Sequence, residues 1–97
     1  MSSMRLYLIS YDVADRRRWR RTFRLLTAAG AWAQFSAFFC RLTPAGRATL
    51  EASLRRILSE AEDRLLIVDL GPADSAGARI ATLGPLHLPG PPEPIII

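Results

Sequence analysis

RLYLISYDVADRRRWRRTFRLLTAAG, residues 5–30, passes from an apolar run through a lone acid into a dense set of arginines, and its reading decides the fold. Arg5 to Asp12 alternates Leu6 and Leu8 on one side with Tyr7, Ile9 and Tyr11 on the other. That is the period of a strand with apolar groups on both faces, the pattern of a central strand covered twice. Asp15 is placed to cap a following helix, which runs to about Ala29 and closes at Gly30. On a 3.6-residue period Trp19, Phe23 and Leu26 form its apolar stripe, with Thr22 and Leu25 at the margin. Arg16, Arg17, Arg20, Arg21 and Arg24 fall on the opposite half.

Outward from this segment, AWAQFSAFFCRL, residues 31–42, is too long for one ordinary strand and reads as two short strands, or one bent near Gln34 to Ser36. Thr43 followed by Pro44 starts a second helix with a cap and a first-turn proline. Leu50, Leu54, Ile57, Leu58 and Ala61 give it an apolar face, and Arg47, Glu51 and Arg55 form a charge ladder opposite. RLLIVDL, residues 64–70, is another two-sided strand, ended by Gly71. The order strand, helix, two strands, helix, strand is the βαββαβ pattern of a ferredoxin-like fold, an α+β class α/β sandwich. One domain therefore spans residues 1–97, with its core at about 4–71.

Six of the seven prolines lie from Pro72 onward, so residues 72–97 read as an extended arm. Within it Arg79 to Leu83 reads as a short strand. Ile95, Ile96 and Ile97 are costly to leave in water, and an extra C-terminal strand added to a sheet edge accounts for them. Two helices cover only one face of such a sheet. The two-sided strands therefore predict that the other face is buried against a second copy, in a homodimer.

Thirteen basic residues, all arginine, stand against nine acids, for a formal charge of +4. This balance favours an anionic partner, with nucleic acid the commonest. The absence of lysine fits the Ala, Gly, Pro, Arg and Leu bias of a GC-rich genome and carries no functional weight. Cys40 is the only cysteine, which excludes an intrachain disulfide and places the chain in a reducing cytoplasm. No apolar run approaches the roughly 18 residues of a membrane span, and the start MSSMRLYLIS has no signal-peptide organisation, so no membrane partner is expected.

Most enzyme classes lack their residues. His87 is the sole histidine, and there is no phosphate-binding loop, no GxGxxG and no cysteine pair. Asp12 survives this filter, as a carboxylate at the carboxyl end of a central strand. A two-fold dimer stacking the open sheet faces could bring two copies of Asp12 toward one axis, where a hydrated Mg²⁺ and a phosphodiester would meet the needs of metal-assisted hydrolysis. Spacing alone favours the plainer reading, that Asp12 ends the strand or pairs with an arginine. The arginine half-face suits sequence-independent, salt-sensitive phosphate binding. Phe38 and Phe39 could stack on bases, but adjacent strand residues point to opposite faces, which puts at least one in the core.

Taken together, residues 7–39, YLISYDVADRRRWRRTFRLLTAAGAWAQFSAFF, resemble the opening half of the small CRISPR-associated adaptation protein family, the second of the near-universal pair, often labelled endoribonucleases. The likeness consists of a strand ending in Tyr11-Asp12-Val13, an arginine-rich helix, and Gly30, Gln34, Ser36 and Phe38 in a G-x-x-x-Q-x-S-x-F spacing. The resemblance implies a homodimer whose tail strand crosses to the partner's sheet. It implies that Asp12 is the metal-binding and catalytic acid, one from each subunit, sharing Mg²⁺ or Mn²⁺, with Tyr11, Ser36 and Phe38 in support. It implies work in spacer acquisition, with the dimer bridging copies of the CRISPR-associated integrase and holding double-stranded DNA on basic surfaces. Some members resemble Mg²⁺-dependent nucleases, single-stranded RNA among their substrates, whereas others resemble scaffolds only. Two positions depart from the family pattern: Trp32 stands where a basic residue is common, and Phe39 where an acid often follows. A toxin-type ribonuclease of the related virulence-associated D family and a non-catalytic ferredoxin-like interaction module are the competing readings.

Overall fold

A computed structural model describes residues 3–34 and 36–84. Strand β1 (Arg5–Asp12) leads to helix α1 (Arg16–Ala29), a hairpin of β2 (Ala31–Gln34) and β3 (Ala37–Leu42), helix α2 (Pro44–Ile57), strand β4 (Arg64–Pro72), a one-turn helix α3 (Ala73–Ala76) and a 3₁₀ turn (Gly77–Arg79). Both long helices start as their sequences dictate. The Asp15 carboxylate accepts from Arg18 N at 3.0 Å, and the Thr43 hydroxyl accepts from Gly46 N at 3.0 Å, with Pro44 in the first turn where no amide is missed.

The four strands form one antiparallel sheet in the order β2-β3-β1-β4, the arrangement of a ferredoxin-like sandwich. β1 is central, and its alternation builds two cores. Tyr7, Ile9 and Tyr11 join Phe38, Cys40, Leu26, Leu50 and Leu54 beneath the helices. Leu6 joins Phe39 and Ala76 on the other face, with Leu8, Ala33, Leu70 and Ile80 packed around them.

That second face departs from expectation. The chain covers part of it itself, because residues 73–80 fold back over Leu6 and Phe39, and Ala73 N donates to Met4 O at 3.0 Å. Residues 79–83 accordingly hold no strand; Arg79 closes the 3₁₀ turn and donates to the Leu70 carbonyl. Gly71 does not end β4. It sits at φ +100 where the β1–β4 register shifts, a left-handed position open to glycine, and the strand continues to Pro72. Among the described residues nothing covers the end of the face nearer Asp12, where Leu66 is 59% exposed. The proposed tail strand and His87 lie outside the described residues. No helix among the described residues is long and apolar enough to cross a membrane.

Two details of the helices also differ. Thr22, expected at the margin of the α1 stripe, lies fully buried beside Leu26, while Trp19 stands 36% exposed at the edge. α2 stops at Ile57, so Ala61 is exposed rather than part of the apolar face. The charge ladder forms as expected, Glu51 taking Arg47 at 3.3 Å and Arg55 at 2.9 Å.

Gly30 ends α1 in extended backbone (φ −156), so its small size and not a left-handed turn is what the site requires. A Cβ there would lie inside the radii of the Cys40 sulfur and the Phe39 carbonyl oxygen. Gly30 thus lets the helix end drop directly onto β3. Gly30→Ala is expected to cost about 1–3 kcal/mol in urea unfolding, as overpacking does, with the transition remaining cooperative. An unchanged midpoint would show that β3 yields without strain.

Candidate functional site

Asp12 is the last residue of β1, and by alternation it shares the incompletely covered face with Leu8 and Ser10. The Tyr11 amide donates to the Ser36 carbonyl at 3.0 Å, carrying the β1–β3 ladder past Ala37 and bringing the β2–β3 turn to the same corner. Ser36 is therefore at the site through its backbone. Arg64, which sequence reading passed over as the first residue of a strand, stands directly across from Asp12 on β4 and on the same face. Only the register, invisible in a sequence, puts it there. Among the described residues the Asp12 carboxylate is exposed and makes no hydrogen bond or ion pair, so of the plainer readings Asp12 does end the strand but does not pair with an arginine.

Tyr11 and Phe38 point the other way, into the helix-covered core. Their rings lie 6.2 Å apart at 25°, and Trp19 tilts against Tyr11 at 6.4 Å. Burial pushes the Tyr11 hydroxyl up to about 12, which leaves it a poor proton donor near neutrality. Both residues fix the strand end from behind. Phe39 is also core, on the opposite face, so neither phenylalanine is available to a base.

The loop that carries Asp12 into α1 is held by a residue the sequence did not single out. The Asp63 side chain, fully enclosed, accepts from Ala14 N at 3.0 Å, Ser59 N at 2.8 Å and Arg18 Nε at 2.8 Å. Arg18 also donates to Glu62 at 2.8 Å. These donors hold the Asp63 carboxyl down at about 2, the Arg18 hydrogen bond being the largest cause. Arg18 is thus the arginine of the RRRWRR run that turns inward, tied to a loop 45 residues away, and no local signal marks it.

Arg16, Arg17, Arg20, Arg21 and Arg24 are exposed as expected, and none forms an ion pair among the described residues. They lie on the outer side of the helix layer, whereas Asp12 is on the far side of the sheet. The two sets do not form one pocket. Trp32 pairs with Phe38 and so faces the helix side, away from Asp12. Phe39 pairs with Leu8, four residues up β1 from Asp12, a separation of about 13 Å. Neither family departure therefore adjoins the carboxylate.

Among the described residues no three His, Cys, Asp or Glu side chains gather to hold a metal. Asp12 offers the hard oxygen donors that Mg²⁺ or Mn²⁺ prefers, but one chain supplies only one such carboxylate. The described residues of one chain fit such an ion through Asp12 but do not by themselves complete its site.

Residues 4–76 match the family model described as CRISPR associated protein Cas2. The chain is 42% identical over 79 residues to a CRISPR-associated endoribonuclease Cas2 of Geobacter sulfurreducens, covering 81% of this chain and 83% of that protein. It is 36% identical over 78 residues to a second such protein from Rhodospirillum rubrum, covering 80% and 76%. Among solved structures, Streptococcus pyogenes Cas2 superposes with a TM-score of 0.72 at 31% identity, covering 81% of this chain and 99% of that one. A hypothetical protein from Thermus thermophilus superposes with a TM-score of 0.77 at 30% identity, covering 90% and 99%.

Because the Asp63 carboxyl is lower in the folded than in the unfolded chain, its contribution is complete above its ordinary value of 3.8 and disappears as pH falls to about 2. Asp63→Asn is expected to lower the melting temperature at neutral pH and to flatten its dependence on pH through that window. Glu62→Gln, which removes only an exposed pair, shifts melting by a few degrees at most. Equal effects of the two substitutions would show that the buried carboxylate does not organise the loop.

Proposed function

The chain belongs to the CRISPR associated protein Cas2 family, and from that premise we propose that it serves spacer acquisition as a homodimer. In this reading it holds double-stranded DNA beside the CRISPR-associated integrase and carries a phosphodiesterase site centred on Asp12. The observation that carries the reading is the Asp12 carboxylate, without a partner among the described residues, at the exposed end of the central strand and on the part of the sheet that residues 73–80 do not cover. A second copy stacked on that bare end would bury Leu66 and bring a second Asp12 close to the first. The names of the curated relatives, CRISPR-associated endoribonucleases, support the same bond chemistry.

Asp12 from each copy would hold Mg²⁺ or Mn²⁺, which when bound neutralises phosphate charge and makes a coordinated water more acidic. The remaining work falls to the chain's own groups. Asp63 and Asp15 fix the loop that follows Asp12, and Tyr11 and Phe38 pack the strand end from the helix side. Arg64, across from Asp12, is available to a phosphate oxygen. The outer arginines neutralise backbone phosphates without reading sequence, which suits a protein that must accept any fragment.

Cleavage of double-stranded DNA and of single-stranded RNA, each with Mg²⁺ and with chelator, tests the site. Asp12→Ala is expected to lower metal-dependent cleavage by about a hundredfold or more while leaving duplex affinity intact. Equal cleavage by both proteins would remove Asp12 from the chemistry. Replacing Arg16, Arg17 and Arg21 together by Gln should flatten the logarithmic salt dependence of duplex binding by up to about 2.7, at roughly 0.9 per phosphate contact. An unchanged slope would show that the duplex lies elsewhere.

A further inference from the structure

Trp19 occupies an unusual place for a residue at the centre of a hydrophobic period. Thr22 and Leu26 on the same helix are fully buried, yet the Trp19 indole stays 36% exposed. Its position is nonetheless fixed. It stacks on Phe23 at 5.3 Å and 10°, and Tyr11 tilts against it at 6.4 Å and 56°. The side left open borders a shallow groove of about 290 Å³ lined by Trp19, Arg20, Phe23, Arg24 and Thr27, with no residue of α2 in its wall. The floor is aromatic and the rim carries two guanidinium groups.

Arg20 and Arg24 make no ion pair among the described residues, and no acid stands within a turn of them on α1. Like charges four residues apart weaken a helix, so the arrangement is unfavourable until an anion arrives. A flat apolar surface with two unsatisfied cations along one side complements a ring system whose neighbouring phosphates lie along that side. In a duplex both faces of each base are already stacked, so only an unpaired base can present its ring.

We propose that Trp19, with Arg20 and Arg24 beside it, forms a stacking site for one unpaired nucleobase, the two arginines taking the phosphates that flank it. This rests on the nucleic-acid role above and adds to it a preference: the outer face of α1 engages a single-stranded end or splayed strand as well as duplex. Stacking on a tryptophan is indifferent to base identity, as every base has a π-face.

Trp19 and Trp32 are the two tryptophans, so in a Trp32→Phe protein the emission reports on Trp19 alone. A short oligothymidylate is expected to quench it, and an abasic oligonucleotide of the same length, with the phosphates but no rings, is expected to leave it nearly unchanged. Trp19→Leu, which keeps apolar bulk against Phe23, should weaken oligothymidylate binding about tenfold and leave blunt-duplex binding unchanged. Equal quenching by the abasic strand would overturn the stacking site, and so would quenching only by an aromatic acidic peptide. In either case, retained salt-sensitive duplex binding would leave the broader role standing. Absence of binding to duplex and oligothymidylate alike by the protein with intact Trp19 would overturn the nucleic-acid role and this proposal with it. The comparison of the two oligonucleotides uses intact Trp19, so it decides the matter even where Trp19→Leu folds poorly.

Discussion

The Asp63 carboxylate ties together three stretches of chain: the loop after β1, the first turn of α1 and the turn between α2 and β4. A buried acid is stable only when its lone pairs are satisfied, and here two backbone amides and a guanidinium satisfy them. The geometry this imposes reaches beyond the loop. With Ala14 anchored and Asp15 capping the helix, the chain between Asp12 and α1 has little freedom, and the carboxylate at the strand end is presented in one place. The arginine directed inward to make this tie is also what leaves its neighbours directed outward.

The second organising constraint is that β1 must be covered on both faces. Helices α1 and α2 supply one cover. Residues 73–80 supply a partial one on the other, through Ala76 and Ile80 against Leu6, Leu8 and Phe39. Among the described residues this divides the open face into a covered end and a bare end, and Asp12 belongs to the bare end. The fold thereby limits where a second copy can pack without displacing its own α3.

The strand and helix order was legible because periodicity is local: alternation in residues 5–12 and the capping residues Asp15 and Thr43 each show their element in a few positions. The place of Asp12 at the end of β1 and the exposure of the five outer arginines were legible for the same reason. What escaped depends on contacts remote in sequence. Arg18 looks like its neighbours until Asp63 is brought to it, and Arg64 acquires meaning only from its register with Asp12. The 3.6-residue period puts Thr22 at the margin of the stripe, yet the helix packs with it fully inside. In place of the short strand expected at residues 79–83 the chain folds back over the sheet, where Ala76 and Ile80 pack with Leu6 and Phe39.

The sheet separates the carboxylate from the arginines as a partition separates two rooms. Effects at sites without shared contacts are close to additive, so changes on one side carry little penalty on the other. Under the proposed function, hydrolytic capacity and phosphate affinity would therefore be free to drift independently in descendants of such a chain. A lineage would lose the first by a single substitution at the strand end and still keep a folded protein with its outer arginines for selection to act upon.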